Sequence, residues 1–174
     1  EEGLLVRPRS RAEAVAFIER WLQEKAYEQV IYCDPYFSTK DIHLLRVCLA
    51  QAPQCRVTVI ASKPHLAQKN ELGEAPFQRA WREESDQDPP DTEVIAPAFV
   101  DAPDKHVLHD RWLLTAAAGL RLGTSFNSLG MERLSEVSEV EPRQVTVILE
   151  QVSKYMSRQR FVDGARIQYS TFTL

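Results

Sequence analysis

The chain has 174 residues, of which 44% are hydrophobic and 26% charged, a composition typical of one ordinary globular domain. Its 21 Lys and Arg residues against 25 Asp and Glu residues give a formal net charge of -4, which excludes a global positive field that would hold a nucleic acid or an anionic membrane. Any site for a polyanion must therefore be a local patch of positive charge.

The ends of the chain and its cysteines indicate the compartment. No apolar run approaches the ~20 residues of a membrane span, and the N-terminus lacks the basic and apolar regions of a signal peptide, so we expect a cytoplasmic protein with no membrane partner. Cys33, Cys48 and Cys55 are odd in number and lack C-x-x-C spacing, which favours free buried thiols over disulfides or a zinc site. Because the sequence begins without Met, we expect residues 1–174 to be a single domain of a longer chain with flanking domains.

The first half of the chain predicts a helix followed by a βαβ unit. A capping box of the form S-x-x-E begins at Ser10, and apolar residues then recur at helical spacing, which predicts a helix of about 16 residues. Residues 30–33 form a β-prone run, so Asp34 is expected at the carboxyl end of a strand. Asp41 can cap a second helix, and a second strand over residues 56–61 completes the unit.

The second half predicts a mixture of helices and strands. We expect a helix near residues 76–84, a strand over 92–95 that ends at a proline, a hairpin of two β-like runs over 107–114 and 120–125, a helix over 142–156 and a last strand over 165–174. The expected fold class is therefore α/β, with a mixed central β-sheet flanked by helices.

The segment that carries chemical information begins at His109. On a strand, residues two apart share a face, so His109 and Arg111 are expected to project to the same side. A following antiparallel strand would bring Thr124, Ser125 and Asn127 beside them. This arrangement would place an imidazole, a permanent cation and several neutral hydrogen-bonding groups around one point.

These groups are the components of phosphoryl transfer without a metal or another cofactor. A neutral imidazole can attack phosphorus, a guanidinium can neutralise the non-bridging oxygens, and hydroxyl and amide donors can hold the developing charge. A second histidine must protonate the leaving alcohol, and one chain offers only His109 in such a setting. The missing acid is therefore expected from a second copy of the chain in a homodimer.

The same residues resemble the signature of a known family. The run H-D-R at 109–111, followed by G-T-S-F-N at 123–127, is similar to the H-x-K and G-S-x-N signature of the phospholipase D superfamily. The glycine follows the histidine by fourteen residues, as it does in that family. Asp34 also resembles the strand end that opens many phospholipase D-like domains.

The chain departs from that signature at three positions. Arg111 stands in place of the family lysine, which keeps the charge but changes the donor geometry. Ala116 occupies the place of the motif's aspartate, and Asn127 comes one residue later than in the commonest form. Such versions are similar to the divergent domains found in multi-domain bacterial nucleases and phage-defence proteins.

The resemblance implies a phospholipase D-like fold and a covalent phosphohistidine intermediate formed without a metal. Small members with one motif are typically endonucleases that dimerise to pair two histidines, so it implies a homodimeric nuclease acting on nucleic acid, with DNA preferred to RNA. It further implies catalytic roles for His109, Arg111 and Asn127, and for a carboxylate, Glu136 or Glu139, that fixes the imidazole tautomer.

Neighbouring groups are expected to bind the substrate. The candidates are Thr124, Ser125, Lys105 and Asp34. Lys105 and His106 extend the positive cluster around His109 and Arg111, which could attract a phosphate backbone despite the acidic total. Residues 63–69 form a second candidate patch, with two lysines and a histidine.

Two other interpretations stay open at this point. The chain could be a catalytically inactive phospholipase D-like module that dimerises or senses for a larger protein, which Ala116 and the displaced Asn127 favour. It could also be a plain α/β interaction domain in which the H-D-R similarity is accidental. Cleavage of nucleic acid that survives EDTA and requires His109 separates the nuclease from both.

Overall fold

Apolar side chains at consecutive positions of the central strands build a sheet with two buried faces. The computed structural model describes residues 3–174. In chain order its strands are β1 (Gly3–Val6), β2 (Gln29–Cys33), β3 (Arg56–Ile60), β4 (Thr92–Phe99), β5 (Trp112–Leu114), β6 (Gly119–Leu122), β7 (Ser135–Glu139), β8 (Phe161–Val162) and β9 (Ala165–Thr173). Its helices are α1 (Arg11–Lys25), α2 (Ile42–Gln51), α3 (Lys63–Gln68), α4 (Glu74–Glu84) and α5 (Pro142–Met156), with short 3-10 turns at Thr39–Asp41 and Phe126–Ser128.

The sheet is mixed, as the sequence predicts. Within residues 3–174 it has nine strands in the order β1-β7-β6-β5-β2-β3-β4-β9-β8. β2, β3 and β4 run parallel to one another, and the remaining neighbours pair antiparallel. The parallel strands are joined by helical connections, whereas the antiparallel strands β5 and β6 are joined by a short turn.

The helices cover the two faces of the sheet unequally. On one face, α1, α2 and α4 pack against strand residues such as Tyr32 and Val59 in the larger buried cluster. On the other face, α5 packs in a smaller cluster with Ile31, Ile60 and Ile95. Because consecutive residues of β2 belong to opposite clusters, both faces of the central strands are buried.

The strand directions bring several segments to one edge of the sheet. The carboxyl ends of the parallel strands β2, β3 and β4 lie together, and antiparallel β5 begins beside them, with Trp112 opposite Cys33. β6 runs back and ends at the same edge, since Arg121 lies opposite Trp112. We call this the carboxyl edge; it carries residues 34–38, 61–65, 100–111 and 123–128.

The predicted first strand of the hairpin is too long. β5 begins at Trp112 and not at residue 107. Its partner β2 ends at Cys33, and Pro35 turns the chain away, so residues 107–111 have no ladder to join. The second strand of the hairpin is also shorter than predicted, since β6 ends at Leu122.

Several smaller features of the fold also differ from the prediction. The Ser10 hydroxyl donates to the Arg7 carbonyl oxygen at 2.6 Å and caps nothing in α1, so the predicted capping box does not form. β7 has the sequence S-E-V-S-E, with one apolar residue, and it was not predicted. The short elements β1, α3 and β8 were missed as well.

β4 continues past the proline at which the sequence predicts its end. Pro97 lies within the strand, opposite Tyr169 of β9. The Val100 N–H donates to the Arg166 carbonyl oxygen of β9 at 3.0 Å. Backbone N–H groups alternate between the two sides of a strand, so the nitrogen of Pro97 faces away from β9. On that side the neighbouring strand, β3, has already ended at Ile60. The proline therefore removes no ladder hydrogen bond, and β4 projects beyond β3 at the carboxyl edge.

The cysteines behave as the sequence predicts. Cys33, Cys48 and Cys55 are free and buried. Burial raises the pKa of the Cys48 thiol to about 12, which keeps it uncharged and unreactive. Among residues 3–174, no helix combines the length and the apolar content needed to cross a bilayer.

Candidate functional site

The end of β2 is organised by Asp34, which is fully buried. One carboxylate oxygen accepts a hydrogen bond from the Tyr32 hydroxyl and the other from the Tyr36 N–H, each at 2.7 Å. Nε of Arg111 lies 3.6 Å from the same carboxylate, and the arginine side chain is 22% exposed. Asp34 therefore neutralises a largely buried guanidinium while the outer part of that guanidinium stays open to a ligand.

Tyr36 joins Arg111 to two histidines. The guanidinium carbon of Arg111 lies 5.3 Å from the centroid of the Tyr36 ring. The imidazoles of His65 and His106 meet that ring edge-on, with centroids 5.4 and 5.1 Å away. Nδ1 of His106 lies 2.7 Å from the Ser62 hydroxyl, and burial, helped by a nearby lysine, lowers the pKa of His65. The carboxyl edge thus holds a cluster of aromatic and basic side chains around one guanidinium.

His109 lies in the loop before β5 and is fully exposed. Its Nδ1 is 3.2 Å from a carboxylate oxygen of the adjacent Asp110. The prediction that His109 and Arg111 share a strand face is wrong, because both residues precede Trp112. They lie instead in one loop of the carboxyl edge, where the imidazole is fully accessible.

The segment after β6 folds over the same edge as a 3-10 turn. Thr124 and Asn127 line an open cavity of about 700 Å³ together with Lys40 and Arg133. Ser125 is buried at the start of the turn. The side-chain carbonyl of Asn127 accepts a hydrogen bond from the hydroxyl of the following serine at 2.8 Å. Two of the three predicted residues of this turn therefore face a cavity that also holds two cations.

Asp41 anchors this turn from beneath. The sequence predicts that Asp41 caps α2, but its side chain makes no capping bond there. Its two carboxylate oxygens accept hydrogen bonds from the Asn127 N–H at 2.8 Å and the Ser38 N–H at 3.1 Å. Burial, together with the nearby charge of Asp34, raises the pKa of Asp41 to about 7. A carboxyl group that titrates near neutrality therefore holds the backbone of the predicted G-T-S-F-N motif.

Arg11, the first residue of α1, holds the other side of the turn. Its Nη1 donates hydrogen bonds to the carbonyl oxygens of Phe126 and Leu129, the second at 3.0 Å. Gly130 has a φ of +74° and packs directly on the helix, since a Cβ there would lie 2.6 Å from the Arg11 Cα. Both the backbone conformation and the close approach require glycine at this position.

Substitution of this glycine tests how tightly the turn is held. We expect Gly130→Ala to lower the free energy of unfolding by about 2–4 kcal/mol, because it adds a backbone clash to the strain of a left-handed alanine. Gly164 has a φ of +81° with nothing near its would-be Cβ, so Gly164→Ala should cost only about 1 kcal/mol. Urea denaturation of both variants measures the difference, and equal losses would contradict the close contact.

The two candidate carboxylates face opposite sides of β7. Glu136 lines a small cavity of about 150 Å³ that Arg111 also lines. Glu139 lies in a separate cavity beside Arg20 and Lys25 of α1. The structure thus brings Glu136, and not Glu139, towards the loop that carries His109. The carboxylate that lies beside the imidazole itself, however, is that of Asp110.

The structure brings the predicted residues together only in part. Arg111 and Glu136 share one cavity, and Thr124 and Asn127 line the next one along the same segment. Lys105 is an exposed residue of the loop that carries His109. Within the described residues, no three His, Cys, Asp or Glu side chains converge as ligands for a metal ion.

Sequence reasoning missed several residues that build this site. Tyr36 and Ser62 each follow the carboxyl end of a parallel strand, a position where functional groups of α/β proteins collect. That positional signal could have found them. Arg11 and Asp41 gave no such signal, because their partners are backbone groups more than eighty residues away.

The fold resembles those of known structures. NucT from Helicobacter pylori matches over 94% of this chain and 96% of its own length, with a TM-score of 0.56 at 11% sequence identity. Polyphosphate kinase from Porphyromonas gingivalis matches with the same TM-score and identity over 97% of this chain and 24% of its own. TrmBL2, an archaeal chromatin protein with a novel mode of DNA binding, matches over 91% of this chain and 53% of its own, but its TM-score of 0.49 at 14% identity carries no argument.

These likenesses show the fold and no more. No protein-family model matches the sequence, and no curated protein sequence matches it. The chain spans about half the length of TrmBL2 and a quarter of polyphosphate kinase, but nearly all of NucT. The fold class predicted from the sequence is confirmed: the chain has a phospholipase D-like α/β fold with a mixed central sheet flanked by helices.

Proposed function

We propose that the chain is a phosphodiesterase that cleaves nucleic acid through a phosphohistidine, with Arg111 as the phosphate-binding cation and His109 as the nucleophile. The observation that carries the proposal is the pairing of Arg111 with the fully buried Asp34. That ion pair fixes a guanidinium at the carboxyl edge, two residues from an imidazole that is fully exposed.

The adjacent carboxylate determines which nitrogen of His109 reacts. Asp110 lies beside Nδ1, so it favours the tautomer with the proton on Nδ1 and a lone pair on Nε2. Nε2 then attacks phosphorus, and the bond from phosphorus to the leaving oxygen breaks as that oxygen takes a proton from a second imidazole. Water next attacks the phosphohistidine, gives its proton to the second imidazole and releases His109.

The second imidazole is assigned to His109 of another copy, in a homodimer with its two carboxyl edges facing each other. Such an arrangement doubles the local positive charge in a chain whose net charge is -4. Flanking domains of a longer chain would add affinity. Nucleic acid is preferred to lipid as the diester because two cations, Lys40 and Arg133, line the cavity of Thr124 and Asn127 beside one carboxylate, Glu132, and such cations suit a sugar-phosphate backbone.

Cleavage without a metal tests this mechanism. We expect purified protein to cut single-stranded and plasmid DNA in EDTA, and His109→Ala to reduce the rate to background because the nucleophile is gone. The matched control is Arg56→Ala, because Arg56 is exposed at the amino end of β3, at the opposite edge of the sheet from His109. Cleavage that EDTA abolishes, or that His109→Ala retains, refutes the mechanism, and scattering that gives a particle of about 20 kDa refutes the dimer.

One observation favours a second candidate, a phospholipase D-like module that binds a phosphate without cleaving it. The carboxylate beside His109 is that of its sequence neighbour, and both groups are exposed, so the imidazole is less firmly held than a buried nucleophile would be. In this case Arg111→Ala would weaken phosphate binding while wild-type protein shows no turnover. Equilibrium binding measured beside the cleavage assay separates the two candidates.

A further inference from the structure

A groove beside β9 combines exposed aromatic surface with arginines. It has a volume of about 510 Å³ and lies between the loop after α5 and the β8–β9 hairpin. The described residues that line it include three arginines, Arg158, Arg160 and Arg166, and no carboxylate. Phe161, on the same rim, is 64% exposed. We call this the arginine groove.

The charges of the arginine groove are only partly balanced. Arg158 is hydrogen-bonded to Glu93, and Arg166 lies 3.8 Å from Asp101 in a pair that is exposed on both sides. Within residues 3–174, no carboxylate lies within ion-pair distance of Arg160. Arg160 is therefore the groove arginine whose charge no described carboxylate balances, and the exposed pair of Arg166 balances its charge only weakly.

The groove is held in shape before any ligand arrives. The Tyr169 hydroxyl donates to the carbonyl oxygen of Gln159 at 2.7 Å, and the Ile167 N–H donates to that of Arg160 at 2.8 Å. Arg158, two residues after the end of α5, has a φ of 54°, the left-handed conformation that commonly follows a helix.

An exposed aromatic ring lies between two arginines on this rim. Phe161 and Arg166 are direct partners across the β8–β9 pair, so their side chains lie on the same side of the hairpin. Arg160 directly precedes Phe161. Aromatic rings that can stack with bases, set beside arginines that contact phosphates, are the components of sites for single-stranded nucleic acid.

The arginine groove runs from the carboxyl edge, where Val100 lies, back towards the amino end of β4, where Arg158 bonds to Glu93. β4 extends four residues beyond Ile95, the residue paired with the last residue of β3, and the chain then runs from Val100 through the loop to Arg111. Strand spacing and rise place the groove roughly 20 Å from Asp34 along that edge. A strand of several nucleotides could therefore span both, whereas a single phosphodiester could not.

We propose that the arginine groove binds single-stranded nucleic acid and directs it towards the loop that carries His109. The phosphates contact Arg158, Arg160 and Arg166, and a base stacks on Phe161. This proposal names the substrate of the proposed phosphodiesterase and in that respect rests on it, but the binding itself can be measured without turnover.

Binding of a labelled oligothymidylate of about 12 nucleotides, measured by fluorescence anisotropy, tests the groove. We expect Phe161→Ala to raise the Kd about tenfold, because one stacked base is lost. Replacing the three arginines with Ala should lower the slope of log Kd against log salt by about 2, because three phosphate contacts are lost. Arg143→Ala, at the opposite end of α5, is the matched control and should leave Kd unchanged.

Small substrates separate this proposal from the proposed function. Hydrolysis of bis(p-nitrophenyl) phosphate needs no groove, so Phe161→Ala and Arg160→Glu should leave it at the wild-type rate. Oligothymidylate binding that depends on the groove supports the proposal even if no diester is hydrolysed. The proposal is overturned if the wild-type protein does not bind single strands or binds duplex more tightly. It is also overturned if the protein binds polyglutamate equally well and this binding does not depend on Phe161.

Discussion

Asp34→Ala should lower the free energy of unfolding by about 3–5 kcal/mol, the cost of leaving one member of a buried ion pair without its partner. The fully buried carboxylate accepts hydrogen bonds from the Tyr32 hydroxyl and the Tyr36 N–H and neutralises Arg111. Its removal leaves the buried Tyr32 hydroxyl and the half-buried Tyr36 N–H without their acceptor and a largely buried cation unpaired. Urea denaturation of the purified variant measures the loss.

Two further variants identify the cause of that loss. Asp91→Ala removes a carboxylate from an exposed pair with Arg56 and should cost less than about 1 kcal/mol. Adding Arg111→Met to Asp34→Ala should recover part of the stability, because the double variant leaves no unpaired charge. If Asp34→Ala is as stable as Asp91→Ala, the ion pair does not organise this edge. The same conclusion follows if the losses in unfolding free energy from Asp34→Ala and Arg111→Met simply add in the double variant.

The central part of the fold could be predicted from the sequence. The run at residues 30–33 is β-prone throughout, the run at 56–61 is rich in β-branched residues, and turn signals bound both; both are strands of the parallel core. The periodicity of α1 and α5 was equally clear. β7 could not be predicted, because its polar sequence is held in place by pairing with β6 on one side and, on the other, with β1 at the far end of the chain.

The candidate site could be predicted as a set of residues but not as a geometry. The H-D-R run singled out Arg111, and the structure gives that arginine a buried partner. The position of His109 could not be predicted, because the length of β5 is set by where β2 ends and not by the β-propensity of residues 107–111. The choice between Glu136 and Glu139 likewise depended on the pleat of an unpredicted strand.

The acidic composition and the proposed polyanionic substrate are compatible because the positive charge is local. Arg111 at one end of the carboxyl edge and the arginine groove at the other are separated by a loop that contains Lys105 and three carboxylates, Asp101, Asp104 and Asp110. Electrostatic attraction between exposed charges falls off over about 10 Å at moderate salt. Acidic residues elsewhere on the surface therefore have little influence on a strand bound along this edge.

The second large effect is a dependence of stability on pH that comes from Asp41. Burial and the charge of Asp34 raise the pKa of Asp41 in the folded protein to about 7, from an ordinary value of 3.8. Between these two values the folded protein binds the proton and the unfolded chain does not, so stability is highest at low pH and falls as the pH rises. From pH 5 to pH 8 the expected loss is about 3 kcal/mol.

Substitution separates the contribution of Asp41 to the pH dependence of stability from that of His65. His65 has a lowered pKa and acts in the opposite direction, since the unfolded chain binds its proton more readily. Comparing the wild type with Asp41→Asn at pH 5 and pH 8 removes that background, and the variant should lose far less stability over the interval. Asp34→Asn should also flatten the wild-type profile, because the charge of Asp34 is the second cause of the raised pKa. If the three proteins share one pH profile, Asp41 is not the group that titrates beneath the G-T-S-F-N turn.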